Sequence, residues 1–169
     1  MDRASSVQLL VMDVDGVLTD GSIMLDNHGN EIKRFHVRDG AGLRLWQHVG
    51  YATAIITGRR GMALRHRVNE LGIDHVIQGS TNKAQDLEDL AEDLDLDLSE
   101  IAMIGDDLPD LGVMKCSGYP VAVADAAAEV RAVADYVTTA PGGRGAVRET
   151  IEHLLKARDE WKVALRMYG

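Results

Sequence analysis

Asp13 and Asp15 stand two residues apart directly after the apolar run Leu9-Leu10-Val11-Met12, which reads as a buried strand. At the C-terminal end of such a strand both carboxylates would enter the crevice where open α/β sheets bind their ligands. Gly16 lets the chain turn there with its backbone amides close to an anion. The chemistry this suits is phosphoryl transfer, with Asp13 as nucleophile, Asp15 as proton donor and acceptor, and a divalent cation between them. A lone Asp-x-Asp is more simply an acidic turn after a strand. The catalytic reading therefore needs further groups from elsewhere in the chain.

Three such clusters stand in order along it. Ala54-Ile55-Ile56-Thr57-Gly58-Arg59 is a second apolar strand that ends in a hydroxyl, a glycine and a guanidinium. At its tip Thr57 could donate to a phosphoryl oxygen, with the Gly58 amide beside it. Lys83 opens a helix after Gly79-Ser80-Thr81-Asn82, so its ammonium can reach the same crevice and neutralise charge on Asp13 and on the transferring group. Met103-Ile104-Gly105-Asp106-Asp107-Leu108-Pro109-Asp110 is a third apolar strand with an acidic turn, and Pro109 suits the first turn of the next helix. Asp106 would supply a protein oxygen to a six-coordinate Mg²⁺, an ion that keeps waters and substrate phosphate beside a few carboxylates. Asp110, one helical turn on, is placed to orient Lys83 or a metal-bound water, and Asp107 stands beside both.

Strand patterns at 8–14, 53–57, 75–78, 101–104, 121–123 and 136–137 alternate with helical patterns at 40–49, 62–71, 83–94, 108–115 and 126–134. Leu87, Leu90, Ala91 and Leu94 follow helical spacing and give one apolar stripe. Gly50 and Gly72 sit where helix C-caps belong. A last helix is expected from 145 to about 167. This alternation predicts an α/β fold, a doubly wound parallel sheet in a three-layer αβα sandwich, within a single domain spanning 1–169. One segment breaks the pattern. Residues 22–26 and 31–37 flank Asn27-His28-Gly29-Asn30 and form a β-hairpin insertion, over about 20–38, with apolar residues on its arms. The hairpin is either a flap on its own domain or an oligomerisation arm.

Charge narrows the partners. Eighteen basic against 27 acidic residues leave a formal charge of −9, which disfavours nucleic acid and anionic membrane. There is no apolar stretch long enough for a transmembrane helix and no leader-like N-terminus, and the lone Cys116 cannot form an internal disulfide. A reducing, cytoplasmic location is the resulting expectation.

The order D-x-D, T-G, K, G-D-D-x-x-D resembles the haloacid dehalogenase-like phosphatases from about residue 7 to 150. That resemblance implies phosphorylation of Asp13 by in-line attack, with Asp15 protonating the leaving oxygen and then activating the hydrolytic water. It implies Mg²⁺ held by the Asp13 carboxylate, the Asp15 main-chain carbonyl and Asp106. Thr57 and Lys83 are only 26 positions apart (83 − 57), too few for the cap domain many members carry. The runs Thr19-Asp20-Gly21, Phe35-His36-Val37-Arg38-Asp39-Gly40, Gln78-Gly79 and Gly142-Gly143-Arg144-Gly145-Ala146-Val147-Arg148-Glu149 are similar to the capless branch that hydrolyses 3-deoxy-D-manno-octulosonate 8-phosphate, an intermediate of lipopolysaccharide synthesis. The branch implies a homotetramer built through the hairpins, with sites between subunits, and a sugar acid phosphate as substrate. Its remote carboxylate suits arginine. Arg59 and Arg67 match arginines of that branch. Arg38, Asp39 and Gly40 at the hairpin's exit, Arg44, His36 near the presumed site, and Arg144 in a glycine-rich stretch are the further candidate contacts. Two alternatives stay open: a phosphatase for 2-keto-3-deoxy-nononate 9-phosphate, and a catalytically silent assembly domain. Arg59 speaks against the first, since the nine-carbon branch tends to carry an acid there; Asp13 and Asp15 speak against the second.

Overall fold

Continuous apolar runs form the middle of the sheet, because a parallel strand covered by helices on both faces must be apolar on both. The computed structural model describes residues 3–169; residues 1 and 2 lie outside the described residues. Strands β1 (Leu9–Met12), β4 (Ala52–Thr57), β5 (His75–Gln78), β6 (Ile101–Gly105), β7 (Tyr119–Ala122) and β8 (Tyr136–Val137) make one parallel sheet in the order β5-β4-β1-β6-β7-β8. Every residue of β1, β6 and β7 is buried. Met12 lies in register with Ile55 and Ile104, so Asp13, Thr57 and Asp106 emerge from neighbouring strands at one edge. From β1 the chain winds outward to β4 and β5, then returns to β6 on β1's other side. The crevice at that reversal is where such sheets bind ligands.

The intervening helices are α1 (Val37–Val49), α2 (Met62–Leu71), α3 (Lys83–Asp93), α4 (Leu111–Cys116), α5 (Ala128–Val133), α6 (Ala146–Ala157) and α7 (Trp161–Leu165). α1 packs on α6 and α7, and α4 packs on α3 and α5. This is the expected doubly wound sheet flanked by helices, and no cap domain interrupts the described chain. α6 buries Val147, Ile151, Leu154 and Leu155, one side of its turn, against the core. Gly50 and Gly72 are left-handed C-caps, as expected.

Several boundaries differ from the sequence expectation. The hairpin's paired arms shrink to β2 (Met24–Leu25) and β3 (Glu31–Ile32), because two strands alone hold few cross-strand contacts. Its turn is held by Asp26, which accepts from the His28 and Asn30 amides at 2.8 Å each. α1 begins at Val37 rather than residue 40, so Arg38, Asp39 and Gly40 are helical and not in an exit loop. The helix expected at 108–115 opens as a tight 3₁₀ turn over Leu108–Asp110, since the Asp110 side chain bonds backward to the Asp106 amide. The tail is two helices, broken where Asp159 takes a left-handed conformation (φ 58°).

The loop between β8 and α6 bears on the site. Glu149 on α6 accepts from the amides of Thr139 (2.8 Å) and Ala140 (2.9 Å) and from the hydroxyls of Tyr136 and Thr139. The loop so held presses Gly142 against the turn after β1, where a Cβ would lie 1.6 Å from the Gly16 carbonyl oxygen. The Gly143 amide donates to Val17 O at 2.8 Å. Removing the acceptor leaves the half-buried Ala140 amide and the exposed Thr139 amide without their protein partner. Glu149→Ala is expected to lower the stability in urea unfolding by about 1–3 kcal/mol, and an unchanged unfolding midpoint would contradict this role.

Candidate active site

Lys83 is the first residue of α3, a helix entered through Asn82, whose side chain accepts from the Gln85 amide. From there its ammonium reaches Asp13 Oδ2 at 2.8 Å and Asp110 Oδ1 at 2.7 Å. The other Asp110 oxygen accepts from the Asp106 amide at 3.0 Å, which fixes the turn after β6. Asp106 folds over the turn after β1, where Gly16 has φ +93° and a Cβ would lie 1.9 Å from Asp106 Oδ2. Only glycine allows the two turns to approach this closely. Thr57 is buried at the end of β4, and its carbonyl accepts from the Ser80 amide at 3.0 Å. Asp13, Thr57, Lys83, Asp106 and Asp110 thus share one strand-end crevice.

One oxygen from each of Asp13, Asp106 and Asp110 lies within 4.8 Å of the others, a spacing that suits a divalent cation. Asp110 already serves Lys83 with one oxygen and the Asp106 amide with the other. Asp13 is engaged too, at Oδ2 by Lys83 and at Oδ1 by the Val14 amide (2.7 Å), so a cation held by Asp13 and Asp106 would share the Asp13 oxygens with these partners, while Asp110 braces the pair. The Asp15 carboxylate points elsewhere, toward Lys33 (2.5 Å) and Arg59 (3.8 Å). Only its main chain remains for a metal.

The electrostatics fit an incomplete charge set. Burial, then the negative charges of Asp110, Asp13 and Asp107, push Asp106 up to about 8. Burial and Asp110 raise Asp13 as well, against the opposing pull of Lys83. Burial alone would lower the Lys83 ammonium; Asp13 and Asp110 outweigh it and hold it above its ordinary value. One cation among three carboxylates leaves the crevice short of positive charge, and a bound metal would supply it.

A family profile for haloacid dehalogenase-like hydrolases matches residues 72–149. The 3-deoxy-D-manno-octulosonate 8-phosphate phosphatase KdsC of Escherichia coli strain B is 47% identical over 158 residues, covering 94% of this chain and 84% of that protein. The chain belongs to the octulosonate phosphate phosphatase family of haloacid dehalogenase-like hydrolases. The phosphatase of that name from Moraxella catarrhalis, in complex with magnesium, phosphate and KDO, matches with a TM-score of 0.96 at 42% identity, covering 99% of this chain and 96% of that one. The Yersinia pestis phosphatase matches at 0.92 and 46% identity, covering 95% and 86%.

The sugar-contact candidates expected of an octulosonate phosphate phosphatase fare unevenly. Arg59 lies in the crevice, bound to Glu31 Oε1 at 2.6 Å and close to Asp15, with Gly58 beside it. Asp39 is a correction: it is buried, and its carboxylate accepts from the Gly145 (3.3 Å) and Arg148 (2.9 Å) amides, so it caps α6 and is not free for sugar hydroxyls. Gly40 makes room for Arg67, whose guanidinium a Cβ there would meet at 2.4 Å. Arg67 does not join Arg59; it pairs with Glu70 at 2.9 Å and lies over the Phe35 ring. Arg44 donates to the Glu70 carbonyl in the same cluster. His36 is the N-cap of α1 with a buried, unpartnered Nδ1. Arg38 and Arg144 share a separate groove near Thr139 and Ala140. The charge of Asp107 adds to the rise of Asp106.

Sequence reasoning missed Lys33 and Glu31. Both turn inward from the hairpin, where Lys33 is nearly buried and ties Asp15 to Glu31. The signal was present as charge on either side of the apolar Ile32. Cation binding requires an ionised Asp106, whose folded value is raised. Mg²⁺ affinity measured by calorimetry is therefore expected to climb with pH through neutrality and to level off above about 8, with about one proton released per ion near pH 7. Affinity independent of pH would contradict this reading.

Proposed function

We propose that this chain is a Mg²⁺-dependent phosphomonoesterase that converts 3-deoxy-D-manno-octulosonate 8-phosphate to the free sugar acid and phosphate, within lipopolysaccharide precursor synthesis. The observation that carries this is the Lys83–Asp13 contact beside Asp106 at the sheet's reversal point. In the first step Asp13 attacks phosphorus in line, the bond from phosphorus to the C8 oxygen breaks, and Asp15 gives its proton to that oxygen. In the second step Asp15 takes a proton from water as the water attacks the aspartyl phosphate, which releases phosphate and restores Asp13. Lys83 and Thr57 contact the transferring phosphoryl oxygens, and Lys83 offsets the charge that builds on them. Mg²⁺ would be held by Asp13, Asp106 and the Asp15 carbonyl, where it supplies Lewis acidity to the phosphoryl oxygens.

The working unit is a homotetramer of single-domain chains in the cytoplasm. Its support is the hairpin. Ile23, Leu25 and Ile32 are 59%, 61% and 55% exposed in the isolated chain, although they are large and apolar. Their neighbours Glu31 and Lys33 face the crevice, so assembly through the outer face would close the site over Asp15. Arg67, Arg44, Arg38, Arg144 and His36, which stand apart from their own crevice, serve the site between subunits. No described helix is long and apolar enough to cross a membrane.

Two experiments test these readings. Steady-state hydrolysis of octulosonate 8-phosphate, nononate 9-phosphate and mannose 6-phosphate is expected to favour the first in kcat/KM by well over about tenfold, and Asp13→Asn to abolish turnover. Equal use of the nine-carbon ester would reassign the substrate, and no phosphate release from any ester would support an assembly role. Replacing Ile23, Leu25 and Ile32 by serine should shift the mass in light scattering from tetramer toward monomer. A tetramer that survives this change would remove the hairpin from the interface.

A further inference from the structure

A lysine sealed inside a protein is rare unless an acid faces it, because stripping water from an ammonium is costly. Lys33 is such a residue, with a side chain only 4% exposed. It leaves a hairpin whose paired arms amount to Met24–Leu25 and Glu31–Ile32, too little pairing to hold a buried charge by itself. Its ammonium meets Asp15 Oδ1 at 2.5 Å and Glu31 Oε1 at 3.2 Å. Arg59 closes the figure, with Nη2 at 2.6 Å from Glu31 Oε1 and Nε at 3.8 Å from Asp15 Oδ2.

Two cations and two acids make this cluster formally neutral. The neighbouring cluster, Lys83 with Asp13, Asp106 and Asp110, has one cation for three acids and so has room for a metal. With its charge already balanced, the Asp15 carboxylate has no need of one. Burial alone would raise the Glu31 carboxyl; its bonds from Arg59 and Lys33 outweigh burial and hold it below its ordinary value. Glu31 therefore stays ionised and keeps Lys33 seated. The two Asp15 oxygens are not equivalent in this setting. Oδ1 is taken by Lys33, whereas Oδ2 has no hydrogen bond among the described residues, and Arg59 is too far to give it one. The Asp15 side chain is 21% exposed, so a ligand can reach this carboxylate without touching the ammonium behind it.

We propose that Lys33 is a positioning residue for proton transfer: it pins Asp15 by Oδ1 and so presents Oδ2 to the oxygen that leaves phosphorus. This rests on the aspartyl-phosphate reading, in which Asp15 is the acid of the first step. As the bond from phosphorus to the leaving oxygen breaks, the Asp15 proton passes to that oxygen. The negative charge left on Asp15 then lies against an ammonium already in place. A mere clamp for the hairpin would use the same ion pair, but it would be indifferent to the chemistry of the leaving group.

The test uses the full-length enzyme with Mg²⁺ and the variants Lys33→Met and Lys33→Arg. The quantity read is the ratio of kcat/KM for a simple alkyl phosphate to that for nitrophenyl phosphate. A nitrophenolate leaves without a proton, and an alkoxide does not. Because kcat/KM ends at the aspartyl phosphate, the later hydrolysis common to both esters does not enter. Lys33→Met is expected to lower the ratio by about ten- to a hundredfold. Lys33→Arg keeps the charge and moves the donors, and should lose about three- to tenfold. A ratio equal to the wild type's in both variants would overturn the inference, as would an equal loss on the two esters. Should Lys33→Met not fold, the ratio of Lys33→Arg decides alone by the same outcomes. Neither ester carries a sugar acid, so the result does not depend on which sugar phosphate the enzyme prefers. Turnover of nitrophenyl phosphate that survives Asp13→Asn would instead overturn the aspartyl-phosphate reading.

Discussion

The ammonium of Lys83 is what allows three carboxylates to share one crevice. Asp13, Asp106 and Asp110 each bring an oxygen within 4.8 Å of the others in a chain whose formal charge is already −9. Burial raises Asp13 and Asp106 first, and the like charge of Asp110 at such spacing raises them further. Lys83 also stands in the first turn of α3, where the helix dipole disfavours a cation. It is kept there by Asp13 and Asp110, and its charge in turn pulls against the rise of Asp13. Asp110 completes the arrangement by tying the ammonium to the turn after β6, so Asp13, its counter-charge and Asp106 are positioned together.

Much of this was legible in the chain. Strands covered on both faces leave unbroken apolar runs, and so the ends that carry Asp13, Thr57 and Asp106 could be placed from sequence. Residues whose role depends on a partner far along the chain could not. Asp39 reads as a free acid at the end of a hairpin, yet its partners are amides more than a hundred positions later, at Gly145 and Arg148. Arg67 has helical spacing that suggests the side of Arg59, but Glu70, Phe35 and the space above Gly40 hold it elsewhere. Lys33 was hidden because its neighbours advertised an apolar arm; the alternation that exposes Ile32 is the same alternation that buries Lys33.

That alternation gives the hairpin two jobs on two faces. One row of side chains, Glu31 and Lys33, finishes the electrostatics around Asp15. The other row is apolar and uncovered in the single chain. A strand has only two faces, so a segment this short cannot change its outer surface by a one-residue slip without also pulling Lys33 away from Asp15. Surface and chemistry are coupled by the pleat itself.

The contact of Gly142 with Gly16 carries a different consequence, for the order in which the molecule matures. The turn that presents Asp13 is laid down early in synthesis, yet its outer wall is a glycine pair supplied 126 positions later (142 − 16), held by an acid on the following helix. A nascent polypeptide can pair its central strands long before that wall exists. The strand-end turn is therefore walled only by residues made last, so its final shape waits on the tail.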